Sequence, residues 1–136
     1  MKKILIPSLI AALLLVSVLF VSPAGAKRDP FVGVWTSIDI DGSSQRLTIG
    51  GGGGVRHVRY YDDGATICGL DPDTGDFLSA ASARGSLSVS GFTLSGNLPV
   101  YCQTAPPALA GNFPFTYVYD PSTNTLTDWL GVVWSR

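Results

Sequence analysis

Glutamate is absent from this chain of 136 residues, in which all ten acidic residues are aspartate. Lysine, which also favours helices, occurs only at positions 2, 3 and 27. Glycine, serine, threonine and valine are abundant instead, in alternating runs separated by turn residues. The scarcity of helix formers argues against a helical fold and predicts an all-β one.

Histidine is nearly absent as well, which restricts acid–base chemistry. The single histidine, His57, lies on a predicted strand with no serine or cysteine nucleophile beside it in sequence, so we expect a solvated strand residue. Asp39 and Asp128 are the other arrangement considered, a carboxylate pair across the first and last strands. We predict no catalytic residues and a protein that is not an enzyme.

Basic residues are few and scattered. Without Lys2 and Lys3, seven basic residues stand against ten acidic ones, so the net charge of the remaining chain is −3. Such a chain has no basic patch for a phosphate backbone, and nucleic acid is not expected as a partner.

The segment LDPDTGDFL is the one candidate for a metal site, with Asp71, Asp73 and Asp76 closely spaced on a loop. An EF-hand beginning at Asp71 would need an acidic residue at position 75, glycine at 76 and glutamate at 82. The chain has Gly75, Asp76 and Ser82 there. Weak calcium binding stays open, but a solvated turn is the preferred interpretation, and no metal or cofactor is predicted.

Residues 1–26 have the features of a signal peptide: two lysines, the apolar stretch ILIPSLIAALLLVSVLFV, and the small residues Ala24-Gly25-Ala26 before the cleavage site. An uncleaved transmembrane anchor is the alternative, because the apolar stretch is long enough to span a bilayer. No second apolar run follows. We therefore predict that residues 27–136 form one secreted or periplasmic domain with no stable membrane insertion after cleavage.

The alternating runs predict eight antiparallel strands that close into an up-and-down β-barrel, with a β-sandwich as the alternative. The predicted strands cover residues 31–40, 45–50, 55–61, 65–69, 79–89, 92–102, 113–119 and 125–135. Successive connections of such a meander alternate between its two ends. The tight turns near Asp41, Asp63, Ser90 and Asp120 would then share one end, and the looser connections and both termini would share the other.

Cys68 and Cys102 should form a disulfide in an oxidising compartment, since the chain has no C-x-x-C pair for redox chemistry. Both lie near the looser end of the predicted barrel, but one strand separates them. Two strand spacings, about 9 to 10 Å, exceed normal disulfide reach. At least one cysteine should therefore lie where its strand bends into a loop.

Gly33 and Trp35 begin the first predicted strand, while Trp134 and Arg136 end the last. If these strands pair, the four residues meet and form a structural plug, with Arg136 across an indole face. The pattern resembles the calycin group, the lipocalin-like and avidin-like barrels. That resemblance implies a barrel with a ligand-binding mouth, although the chain is shorter than lipocalins and lacks the tryptophan-rich pocket that biotin needs. The start GVWTSIDIDGS also resembles a type of small secreted bacterial protein.

With Trp35 facing inward, strand alternation gives the barrel an apolar lower interior and a polar upper part. The predicted ligand-binding residues in that upper part are Ser37, Asp39, Tyr60, Tyr117, Tyr119 and Asp128. We therefore predict a barrel that binds a small, partly apolar molecule without catalysis. The alternative is a solid structural or protein-interaction barrel with no small-molecule ligand.

Trp129 is opposite in phase to Trp134 on the last predicted strand, so it should face outward. An exposed tryptophan there could support self-association, since tryptophan is favoured at interfaces. A β-bulge at Gly131 would instead turn Trp129 inward.

Overall fold

The computed structural model describes residues 28–136, so the predicted signal peptide at 1–26 and its cleavage site lie outside the described residues. One sheet of eight antiparallel strands, in sequence order, forms a nearly closed barrel. The predicted up-and-down barrel is confirmed, and the sandwich alternative is wrong. The strands are β1 (Gly33–Ile38), β2 (Ser44–Gly50), β3 (Val55–Asp62), β4 (Ala81–Ser90), β5 (Thr93–Cys102), β6 (Ala108–Asp120), β7 (Thr125–Asp128) and β8 (Val133–Trp134).

Closure depends on a single bridge between β1 and β8. The backbone N–H of Thr36 donates to the carbonyl oxygen of Ser135 at 2.8 Å, and the N–H of Ser135 donates back to Thr36 at 3.0 Å. Within residues 28–136, no helix is long and apolar enough to cross a membrane.

The fourth predicted strand, 65–69, is wrong. Thr66–Cys68 form a short 3-10 turn inside a long connection between β3 and β4. Gly64 explains part of this, because a Cβ there would lie 2.2 Å from the ring of Phe77, so the chain folds back on itself at close range.

The eighth predicted strand, 125–135, is also wrong as one strand. It divides into β7 and β8 around a turn at which Gly131 has φ +84, a conformation that glycine adopts readily. Asp128 holds this turn by accepting from the backbone N–H groups of Leu130 and Val132, at 2.9 and 3.0 Å. The predicted count of eight strands is right only because two errors cancel: the predicted strand 65–69 does not exist, and the predicted strand 125–135 is two strands.

Because the predicted strand 65–69 does not exist, β4, β5, β6 and β7 run in the direction opposite to the prediction, and only the split at Gly131 restores the predicted direction in β8. The connections after β1, β3, β5 and β7 share one end of the barrel, which we call the open end. The connections after β2, β4 and β6 share the opposite, closed end with both termini of the described chain. The prediction that the turns near Asp41, Asp63, Ser90 and Asp120 share an end is wrong for Ser90 and Asp120, which lie at the closed end.

The Cys68–Cys102 disulfide is present, with 5.5 Å between the two Cα atoms. Cys68 lies in the 3-10 turn and Cys102 ends β5, so one cysteine is in a connection, as the reach argument requires. The bridge attaches the long connection after β3 to the barrel wall at the open end.

The core fills the closed end and the middle of the barrel, mostly with residues from inward-facing strand positions. Its largest fully buried side chains are Trp35, Trp134, Tyr117, Phe31, Leu47, Ile49, Leu87, Leu94, Leu98, Leu126 and Val58.

Candidate functional site

Trp35 is fully buried at the closed end. Its indole N–H donates to the carbonyl oxygen of Phe31 at 2.8 Å. The guanidinium carbon of Arg136 lies 4.4 Å from the centre of the Trp35 ring, a cation–π geometry. A Cβ on Gly33 would come within 3.4 Å of the Arg136 guanidinium, and the φ of Gly33 is +151. Glycine at this position leaves room for the arginine.

Trp134 does not belong to this plug, contrary to the expectation. Because Thr36 pairs with Ser135 in an antiparallel bridge, Arg136 lies beside Trp35. Trp134 lies beside Ser37, which is two residues nearer the open end than Trp35. The aromatic partner of Trp35 is Tyr119, whose ring centre is 6.4 Å away.

Tyr119, a predicted ligand-binding residue, therefore lies at the closed end. Its hydroxyl hydrogen-bonds Oδ1 of Asn124 at 3.1 Å, and its ring packs on Phe31 and Phe92 with centres 6.1 Å apart in each case. Reversal of the strand direction accounts for this error, since Tyr119 is near the closed-end terminus of β6.

The closed end also contains a buried ion pair that the sequence analysis missed. Arg56, on an inward-facing position of β3, pairs with the carboxylate of Asp29 and is only 6% exposed. Its Nη1 donates to the carbonyl oxygen of Val55 at 3.0 Å, while its Nε is buried without a partner among residues 28–136. The run R-H-V-R-Y, in which Arg56 shares a strand face with Val58, was the available signal.

The open end contains a cavity of about 340 Å³. Its apolar and aromatic lining residues are Ala65, Ile67, Ala81, Val100, Phe113, Pro114, Phe115, Trp129 and Leu130. Its polar lining residues are Asp39, Asp41, Gln45, Tyr60, Asp62, Thr66, Thr116, Tyr117 and Asp128. Four of the six predicted ligand-binding residues are thus brought together, namely Asp39, Tyr60, Tyr117 and Asp128.

The cavity reaches solvent beside β6. Successive residues of a strand point to opposite faces, yet the consecutive residues 113–117 all line the cavity. The cavity must therefore meet this strand at its edge. The register agrees, because β7 pairs with β6 only from Tyr117 to Asp120, and the preceding part of β6 pairs with β5 alone.

Tyr60 is held by a complete hydrogen-bond network. Its hydroxyl donates to Oδ2 of Asp62 at 3.0 Å and accepts from the side-chain amide of Gln45 at 3.0 Å. The amide oxygen of Gln45 accepts from Ser37 at 2.9 Å. Ser37 does not line the cavity, so its role is to orient Gln45. Burial and the negative charge of Asp62 raise the pKa of the Tyr60 hydroxyl, which therefore keeps its proton.

The hydroxyl of Tyr117, unlike that of Tyr60, makes no hydrogen bond within the described residues. Its side chain is only 2% exposed and lines the cavity, but its hydroxyl has no hydrogen-bond partner among residues 28–136. Its ring meets Trp134 edge-on at 5.7 Å. Burial and the nearby Asp128 raise the pKa of the hydroxyl, so Tyr117 presents a neutral O–H. Because this hydroxyl is not among the fully buried unpaired atoms of residues 28–136, it opens onto the cavity.

The aspartates of the cavity differ in how far their oxygens are already used. Asp128 accepts from two backbone N–H groups of its turn and from the indole N–H of Trp134 at 3.1 Å. Asp41 accepts from Ser43 and from Thr66, both at 2.7 Å through hydroxyls. Burial opposes ionisation of Asp41, but these hydrogen bonds lower its pKa below the ordinary value.

Asp39 is less engaged. Oδ1 accepts from the backbone N–H of Ile40 at 2.7 Å, and Oδ2 has no partner within residues 28–136. Burial raises the pKa of Asp39, the hydrogen bond from Ile40 opposes the shift, and the negative charges of Asp41, Asp62 and Asp128 add to it.

The remaining candidates lie outside the cavity. His57 hydrogen-bonds the hydroxyl of Ser86 at 3.0 Å on the exposed face of the sheet. In the loop considered for weak calcium binding, Asp71 accepts from the backbone N–H groups of Asp73 and Thr74 at 2.8 and 3.1 Å, which is the geometry of an aspartate-capped turn.

The sequence analysis missed several cavity residues. Phe113 and Phe115 alternate with polar residues on β6 and could have been included. Asp62, Gln45 and Thr66 could not, because their positions depend on the register of β2 and β3 and on the long connection.

No protein-family model, curated protein or solved structure matches the chain. The resemblance to calycins stays a prediction carried by Gly33, Trp35 and Arg136.

Proposed function

We propose that this protein binds a small, partly apolar molecule in the open-end cavity and releases it unchanged. The observation that carries the proposal is a concave site with aromatic walls, onto which the hydroxyl of the largely buried Tyr117 opens without a protein partner. Ligand sites combine mostly apolar walls with a few directed polar groups. The volume of about 340 Å³ is suited to a compact ligand.

Binding without catalysis is the simpler interpretation of the polar groups. Catalysis by paired carboxylates needs one group free to give a proton and one free to take it. Both oxygens of Asp128 accept hydrogen bonds from its own turn and from Trp134. That leaves Asp39 alone with an unoccupied oxygen among the two candidates.

An extracytoplasmic location belongs to the same proposal. The Cys68–Cys102 disulfide supports it, because such bonds persist in oxidising compartments. The predicted signal peptide at residues 1–26 would deliver the protein there. A calycin-like relationship is the corresponding proposal for its origin, supported by the stacking of Arg136 on Trp35.

Tryptophan fluorescence tests the binding proposal directly. Trp129 lines the cavity and is 66% exposed, so a bound apolar molecule should shift its emission to shorter wavelength. The protein, with its disulfide formed, would be titrated with a panel of small aromatic and lipophilic compounds. Ala65→Leu adds bulk to the cavity wall and should abolish the response. The matched change Ala110→Leu, at an exposed position of β6, should not. An unchanged spectrum across the panel would contradict the proposal.

Self-association through Trp129 is the second candidate, and the exposure of the rim favours it. Ile40 and Ile67, in other connections at this end, are 76% and 50% exposed, and Leu130 is 44% exposed. Large exposed apolar groups at one end are typical of an interaction surface. Sedimentation at micromolar concentration with the unchanged protein and Trp129→Ala tests it. A monomer in both samples would rule out self-association, whereas loss of a dimer in the variant would support it.

A further inference from the structure

We infer that the open-end cavity selects small organic cations, namely protonated amines with an apolar body, and that Asp39 and Tyr117 hold the ammonium group. This inference rests on the proposed binding function and adds the chemical class of the ligand. Three properties of the cavity wall carry it: its charge, its unoccupied acceptors and its aromatic faces.

The charge of the wall has one sign. Four aspartates line the cavity, and no lysine, arginine or histidine is among the described residues that line it. The buried cation of the barrel, Arg56, lies at the closed end and is paired with Asp29. An anionic ligand would therefore meet only repulsion, and a neutral one would leave the carboxylates uncompensated.

The unoccupied acceptors narrow the choice to an organic cation. A divalent metal ion in a protein needs several oxygen ligands at once. Asp41 and Asp128 already have both carboxylate oxygens hydrogen-bonded, and Asp62 accepts from Tyr60 and from Gly64. Oδ2 of Asp39 is left, and one such oxygen suits one N–H of an ammonium group.

Tyr117 is an independent observation that points to a ligand. Its side chain is 98% buried and lines the cavity, and its hydroxyl has no partner among residues 28–136. A phenol oxygen can accept a second N–H of an ammonium group while its own proton is directed elsewhere. The empty hydrogen-bonding capacity of this group is thus explained by a donor that arrives with the ligand.

Aromatic rings supply the remaining contact. Tyr60 and Phe115 meet edge-on, with ring centres 5.3 Å apart, and Phe115 and Tyr117 are 6.4 Å apart. Trp129 lies at the exposed side of the same cavity. Ring faces attract cations and also cover the apolar part of a ligand, so one wall serves both ends of an amphipathic amine.

The ionisation of Asp39 agrees with this assignment. Its pKa is raised by burial, against the hydrogen bond from Ile40, and further by the charges of Asp41, Asp62 and Asp128. A bound cation would attract the ionised carboxylate and offset the repulsion from the other aspartates.

Three probes of similar shape test the inference by isothermal titration calorimetry: 2-phenylethylamine, 2-phenylethanol and phenylacetate. The amine should bind at least about tenfold more tightly than the alcohol, because a hydrogen bond to a charged group exceeds a neutral one by that order. Phenylacetate should bind most weakly of the three. The protein would be the secreted form of the full chain with its disulfide intact.

Two variants of equal charge locate the effect. Asp39→Asn should reduce the affinity for the amine to near that for the alcohol, and its effect on the affinity for the alcohol should be much smaller than its effect on the affinity for the amine. The control Asp73→Asn removes one carboxylate from an exposed position of the same end, outside the cavity, and should change neither affinity. Thermal melts establish that both variants are folded. If Asp39→Asn does not fold, the three probes on the unchanged protein still decide.

Alcohol binding as tight as amine binding overturns the inference and leaves the proposed function standing. Binding of none of the three probes overturns both. An equal loss of amine affinity in Asp39→Asn and Asp73→Asn also overturns the inference, since the attraction would then come from the overall negative charge and not from the cavity.

Discussion

The two ends of this barrel are built from similar aromatic residues, but they use their polar groups differently. At the closed end, the indole N–H of Trp35 has a carbonyl partner, and Arg136 donates to Val32 at 3.0 Å and to Asn124 at 2.7 Å. At the open end, the hydroxyl of Tyr117 and Oδ2 of Asp39 have no partner within the described chain. Among residues 28–136, the exception at the closed end is the buried Nε of Arg56, which has no hydrogen-bond partner.

The charges follow the same division. The guanidinium groups of Arg56 and Arg136 both lie at the closed end. Arg56 pairs with the carboxylate of Asp29, and Arg136 lies over the ring of Trp35. The open-end cavity has carboxylates alone. Interactions completed within the protein stabilise the fold, whereas incomplete ones cost free energy unless a ligand satisfies them. The contrast therefore separates a stability region from the proposed binding region, and it can be tested residue by residue.

The largest expected effect is the difference in the free energy of unfolding between variants of two tryptophans, one at each end of the barrel. Trp35→Ala should lower the free energy of unfolding by roughly 3 to 5 kcal/mol, as for other buried large aromatic residues. The change removes a fully buried ring, its hydrogen bond to Phe31 and its contact with Arg136. Trp129→Ala, at a position 66% exposed, should lower it by less than about 1 kcal/mol. Urea denaturation of both variants with the disulfide intact measures the difference.

A loss of less than about 1 kcal/mol in Trp35→Ala would mean that the closed end is not the stability region. The calycin-like proposal would lose its main support with it, because that proposal depends on Trp35 as a buried plug.

A smaller effect contrasts two tyrosine hydroxyls, both in the open-end cavity. Tyr60→Phe should lower the free energy of unfolding by about 1 to 3 kcal/mol, because it removes two hydrogen bonds of the hydroxyl, one from the buried Gln45 and one to the buried Asp62. Tyr117→Phe should change it by less than about 0.5 kcal/mol, because that hydroxyl has no partner to lose. The same urea measurements apply.

These two variants also separate folding from binding. Tyr117→Phe should weaken amine binding although it leaves stability unchanged. If Tyr117→Phe proves as destabilising as Tyr60→Phe, its hydroxyl contributes to the folded state, and the distinction between the two tyrosines fails.

The barrel could be predicted from the sequence because its strongest signals are local. Asp41-Gly42 and Ser90-Gly91 mark turns wherever they occur, and alternation placed Trp35 inside without knowledge of the register. The contact of Arg136 with Trp35 also followed, since it required only that the first and last strands pair.

The composition of the cavity could be predicted only in part, because it depends on contacts between distant segments. The 3-10 turn at Thr66–Cys68 is held by a disulfide to Cys102 and by the packing of Phe77 on Gly64, and neither is visible in the short run ATICG. One misplaced strand then moved Tyr119 to the wrong end. Asp128 and Tyr117 were still placed together, because they face each other across the β6–β7 hairpin, whose register does not depend on which end of the barrel the hairpin occupies.

The smallest expected effect concerns Asp39, and it has opposite signs for stability and for binding. A carboxyl group whose pKa is raised on folding favours the folded state below its unfolded pKa, and this contribution is lost as the pH rises through the folded pKa. Asp39→Asn lacks that loss, so its free energy of unfolding relative to the unchanged protein should increase slightly from about pH 3 to about pH 7, since solvent screening keeps the effect of this partly exposed carboxyl group small. Amine binding to the unchanged protein should strengthen over the same range, since Asp39 becomes charged, while binding to Asp39→Asn should gain far less. Urea midpoints and calorimetric titrations at matched pH values measure both quantities. A stability difference that falls with rising pH would show that Asp39 is stabilised in its charged form by the protein itself, and the carboxylate would then not be a group that waits for a cation.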